Sequence, residues 1–159
     1  MNWGNVNQLV SGAVADLQKS SMLSGGLPED LLTANSLAER LRIEFNFALS
    51  ICIEHFLSIP GQIAEISGKF DQPDGYKVYL DSLLVCKAIV HDAERNVIYL
   101  LDVASRYGEM FRDTVGSRWD EVSVQVKILV DQMYEIIKVV SSVVVVIIEE
   151  YKQYKVRGC

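Results

Sequence analysis

The chain has 159 residues, half of them Ala, Val, Ile, Leu, Met, Phe, Trp, Tyr or Cys, with 10 glycines and 3 prolines. That length and apolar share fit one domain with a sizeable core and exclude intrinsic disorder, because burial on this scale offsets the entropy of ordering the chain. Twenty-one acidic against fifteen basic residues give a net charge of −6, and the basic residues are scattered, which argues against a nucleic-acid footprint.

From Val6 onward the apolar residues Val6, Leu9, Val10, Ala13, Val14 and Leu17 fall three and four apart, the spacing of an amphipathic helix within residues 6–23. Ser24-Gly25-Gly26-Leu27-Pro28 breaks it, and residues 24–35 read as an interhelical linker with a single turn after Pro28. Ser36, with Glu39 three residues on, is a capping-box candidate, so a second helix is expected to begin there. Its stripe is Leu37, Leu41, Phe45, Ala48, Leu49, Cys52, Ile53, Phe56 and Leu57. Ile59-Pro60-Gly61 is expected to end or bend this helix. Residues 60–75, with Asp71-Gln72-Pro73-Asp74-Gly75, read as a turn-rich linker where the chain reverses.

A third helix is expected from about Tyr76 to Tyr107, roughly 45 Å long at 1.5 Å per residue. Gly108 and Gly116 then bracket a short polar passage. The last helix is expected to start at Ser117 and run through Trp119, Val122, Val126, Leu129, Val130, Met133, Ile136, Ile137, Val140, Val144, Ile147 and Ile148 to near Tyr154. Within it, residues 139–148 are rich in β-branched side chains, which favour sheets. Helix is preferred to strand because this run continues the stripe begun at Trp119 with no turn residue between. At ten residues the uncharged stretch is also short of the roughly twenty that a membrane-spanning helix needs. The simplest closed arrangement of these segments is an all-α, single-domain antiparallel helical bundle over residues 1–159, with three long helices and a shorter amino-terminal one.

Sites of chemistry are sparse. The two histidines, His55 beside Glu54 and His91 beside Asp92 and near Glu94, invite a zinc or acid–base reading if they converge. The Glu-x-x-His pattern of di-iron bundles is absent, and His91 to Glu94 gives only the reversed order. No nucleophile elbow, His-Glu-x-x-His pair or phosphate loop occurs. Neither a catalytic residue, a metal nor a cofactor is therefore assigned. Cys52 and Cys86 fall among apolar helix positions and read as core, while Cys159 is the more exposed candidate. Three cysteines without a CxxC pair, and a start lacking the basic-then-apolar pattern of a signal segment, point to a reducing, cytoplasmic setting. No lipidation signal is recognised either, so no membrane partner is expected.

The strongest physical clue is the last helix, whose residues 139–148 carry apolar side chains on more than one side. One groove does not readily cover so wide a surface. Coverage by the amino-terminal helix is one solution; an interface with another protein or a second copy is the preferred one. Its expected residues are Trp119, Val140, Val143, Val144, Ile147, Ile148, Tyr151 and Tyr154, the tyrosines forming a rim. Arg40, Arg42, Arg95 and Arg106 are candidate polar contacts to a partner. The expected function is accordingly a noncatalytic helical interaction or scaffold domain that self-associates. The alternatives are a small metal-binding protein or enzyme built on the histidines and a structural subunit of a larger assembly.

Overall fold

The computed structural model describes residues 3–19, 36–70, 75–115 and 117–157. They form four helices, α1 Trp3–Gln18, α2 Ser36–Lys69, α3 Lys77–Val115 and α4 Ser117–Arg157, and no strand occurs among the described residues. α1 packs on α2 and α4, α2 also on α3, and α3 on α4, which closes the ring of an all-α bundle. The expected linker at 24–35 lies outside the described residues.

Two expected breaks are not breaks. α2 continues through Pro60 to Lys69, so the linker expected at 60–75 shrinks to the reversal between Lys69 and Lys77. A proline inside a helix removes one backbone hydrogen bond and costs about 3 kcal/mol. Ile59, Ile63 and Ile66 on either side of Pro60 are buried in the core. Burying each contributes roughly 1.5–3 kcal/mol, which outweighs the proline. Gly108 likewise lies within α3, which runs on to Val115; a helical glycine costs only about 1 kcal/mol relative to alanine. The reversal itself places Gly75 at a φ of 65°, in the left-handed region that glycine enters without strain.

The β-branched run 139–148 is helical, as its place in the stripe implies. Val140, Val143 and Ile147 are buried, and their burial outweighs helix-propensity deficits of up to about 0.7 kcal/mol per residue. Phe45, Phe56, Leu100, Tyr107, Leu129 and Met133 fill the same core.

The pairings set helix directions and levels. Phe70, directly after α2, meets Tyr79 of α3 with ring centroids 5.2 Å apart; between the two helices Cys52 Sγ donates to the Asn96 carbonyl at 3.2 Å, and Glu44 accepts from Arg106 at 3.0 Å. Low numbers on α2 thus meet high numbers on α3, and the two run in opposite directions. At one end of the bundle an aromatic cluster joins all four helices: Trp3 to Phe70 at 5.0 Å, Phe70 to Tyr79, and Tyr79 to Tyr151 and Tyr154 at 5.8 and 5.3 Å. Asn7 Nδ2 donates to Ser67 Oγ at 3.2 Å beside it. α1 has 16 residues and α4 has 41, about 24 Å against about 60 Å, so α1 accompanies only the end of the bundle where the aromatics gather.

Candidate interaction surface

Part of the apolar breadth of α4 is absorbed inside the chain. Val140, Val143 and Ile147 lie in the core, and Val144 and Ile148 are half-buried. Tyr151 and Tyr154, expected at a rim, instead stack on Tyr79 in the aromatic cluster. Contact with both α1 and α3 explains this: α1 covers one flank of α4 and α3 the other. Val140, Val143 and Ile147 are thus enclosed within the chain, while Val124, Ile128 and Val145 of the same helix are 57%, 52% and 59% exposed. Trp119 stands in the first turn of α4, with its side chain outside the described residues.

The histidines occupy different grooves. His55 borders a groove of about 480 Å³ between α2 and α3 with Ile51, Glu54, Ser58, Asp92, Arg95 and Asn96. Its Nε2 lies 3.2 Å from the Ile89 carbonyl oxygen, to which it donates, so the ring is fixed on α3 backbone and not on a carboxylate. His91 is exposed in the groove between α3 and α4, with Lys87, Glu94 and Val144. A joint site built from both histidines is not assembled, and no group of three metal-ligating side chains forms among the described residues. The buried thiols offer no nucleophile. Desolvation pushes Cys52 up to about 12 and Cys86 up to about 11, far from the thiolate state that reacts.

The four arginines part company. Arg40 is exposed, and Arg95 borders the His55 groove. Arg42 is half-buried with its Nε enclosed, and its charge acts on the buried Tyr107, so it belongs to the interior and not to a partner surface. Burial dominates at Tyr107 and raises its phenol above the usual value despite Arg42. Arg106 donates to Glu44 at 3.0 Å and pairs with Asp102 at 3.2 Å, while the Tyr99 hydroxyl donates to the same Glu44 oxygen at 3.0 Å. The Arg106 hydrogen bond, then that of Tyr99, holds the Glu44 carboxyl below its usual range. Glu44 in turn raises Tyr99.

What the sequence reading missed is the opposite face of α2. Ile43 and Phe47 are 55% and 61% exposed, and Ile51 borders the groove one turn further on. On α3, Tyr99 reaches Glu44 of α2, and Ile98, next to it in the chain, is 61% exposed. Phe47 sits between two α2–α3 contacts, Glu44 with Tyr99 and Ile51 with Arg95 and Asn96, so Phe47 and Tyr99 stand at the same level of the bundle. The signal was present: Ile43, Phe47 and Ile51 recur four apart, off the stripe that Phe45, Cys52 and Phe56 define. They also help make residues Arg42–Lys69 long and apolar enough to cross a membrane by length and composition, at a mean hydropathy of 1.3 with 33% of that stretch buried, which as a lone helix is weak evidence for a span. No protein-family model, curated protein or solved structure matches the chain.

Proposed function

We propose that this chain is a noncatalytic helical interaction module that works by self-association, through the outward face of α2 and the adjoining part of α3. One observation carries the reading: Ile43 and Phe47 of α2, one turn apart, are 55% and 61% exposed, whereas Val140, Val143 and Ile147 of α4 are buried. Contiguous exposed apolar side chains of this size mark association surfaces, because leaving them in water forgoes roughly 1.5–3 kcal/mol of burial for each. The charged residues around them, including Arg40, Glu54 and Arg95, supply a polar rim. Separation of His55 and His91 favours this reading over a metal or acid–base centre. We assign it to a reducing, cytoplasmic setting, in keeping with the free thiols of Cys52 and Cys86.

The test is the solution mass of the full chain by analytical ultracentrifugation across a wide concentration range, beside a Phe47→Lys/Ile98→Lys variant. The wild type is expected to exceed the monomer mass increasingly with concentration, and the variant to stay monomeric with unchanged helicity. A wild type that remains monomeric throughout sinks self-association. An equally associated variant shows that the surface is elsewhere, and mass growth beyond a closed oligomer favours a structural subunit of a larger assembly.

A further inference from the structure

The order of residues along the α2 face specifies how two copies meet. Arg40, Ile43, Phe47, Ile51 and Glu54 recur at steps of three and four, so they form one stripe along the helix. Arg40 and Glu54 at its ends are exposed, as are Ile43 and Phe47. The stripe is centred on Phe47: Ile43 and Ile51 lie four residues to either side, and Arg40 and Glu54 seven. Seven residues span about 10 Å of helix. Its ends carry opposite charges, and beyond Glu54 the same face continues with Ser58 and Gly61, which add no apolar surface.

The neighbouring helix repeats the arrangement at the same level. Phe47 lies level with Tyr99, between the Glu44–Tyr99 contact and the groove shared by Ile51, Arg95 and Asn96. Asp92 and Arg106 stand seven residues before and after Tyr99, with Arg95 and Asp102 nearer to it, all four exposed.

Resting on the self-association proposed above, we infer that the partner is a second copy of this chain, docked face to face with α2 antiparallel to α2 about a two-fold axis at Phe47. In that register Phe47 meets Phe47, Ile43 meets Ile51, and Arg40 meets Glu54 at both ends. The same axis sets α3 against α3, with Asp92 opposite Arg106 and Arg95 close to Asp102. A parallel pairing of the same stripes sets Arg40 against Arg40 and Glu54 against Glu54. Like charges in contact are unfavourable, so the charge order selects the antiparallel arrangement. The contact is isologous and closes at two copies.

Charge reversal tests it in the full chain. Arg40→Glu and Glu54→Arg, made singly, each place like charges together at both ends, and dimer dissociation constants by sedimentation are expected to rise at least about tenfold, the equivalent of about 1.4 kcal/mol. The double variant R40E/E54R restores opposite charges and is expected to return close to the wild-type value. A second readout uses Cys159→Ser chains: Phe47→Cys is expected to oxidise to a covalent dimer, and Gly61→Cys, on the same face but off the axis, is not. Ready crosslinking at both positions indicates parallel pairing and overturns the register. Single reversals without effect, or a double variant as weak as the singles, also overturn it while leaving self-association standing. A wild type that is monomeric at every concentration overturns both.

Discussion

The long apolar stripe of α4 and the shorter one on the outward face of α2 look alike as residue patterns, yet they meet opposite fates. Val140, Val143 and Ile147 are enclosed because α4 touches both α1 and α3, whereas Ile43 and Phe47 are 55% and 61% exposed. Apolar content alone therefore does not mark an interface. Apolar surface is left over on Ile43 and Phe47 of α2 and on Ile98 of α3, as it is on Val124, Ile128 and Val145 of α4, and the α2 stripe is the one we propose as an interface.

The largest effect that can break this contrast is on stability. Ile147→Ala is expected to lower unfolding free energy by about 2–5 kcal/mol, as for a buried large-to-small change, and Phe47→Ala by about 0.5 kcal/mol or less in the monomer. Denaturant unfolding of dilute protein checks both. Equal losses at the two positions erase the distinction drawn between the two stripes.

A sharper comparison lies within α2, where Ile51 faces the groove and its neighbour Cys52 faces the core. In a Cys159→Ser chain, Cys52 and Cys86 are expected to resist a thiol reagent at pH 8 until the protein unfolds. Their folded values, about 12 and about 11, stand above the ordinary thiol value of 9.0. The native state then holds protons that the unfolded state releases, so their contribution is complete below pH 9 and declines as pH rises toward those folded values. Rapid labelling of folded protein contradicts the inward placement.

The smallest effect concerns the Glu44 contacts at the border of the α2 surface. Glu44→Gln is expected to cost about 0.2–1 kcal/mol, typical of an exposed ion pair. Because the folded Glu44 carboxyl is held below its usual 4.5, its contribution is present above that pH and lost as pH falls through the lower folded value. A difference between wild type and Glu44→Gln that persists unchanged into strong acid shows that the Arg106 and Tyr99 contacts are not its source.

Much of the fold was legible because helical periodicity is local. The stripes starting at Val6, Leu37 and Val122 suffice for an all-α bundle, and the helical state of the β-branched run of α4 follows from its continuity with that stripe. Pro60 does not end α2 and Gly108 does not end α3, because their local costs are smaller than the burial of side chains beside them, and such burial depends on the rest of the bundle. The candidate surface was less legible. Ile43, Phe47 and Ile51 were in plain view as a second spacing-of-four series, but a series does not say whether a neighbour covers it.

By itself, then, the order of residues determined that this chain folds into amphipathic helices and that cysteines 52 and 86 sit among apolar positions, since both follow from spacing along one helix. Only the tertiary structure decided which apolar face is spent inside the bundle, that His55 and His91 point into different grooves, and that Arg42 turns inward while Arg40 stays in water. The reason is geometric: a helix presents all its faces in sequence, and its neighbours, through their lengths and positions, select the one that remains for another molecule.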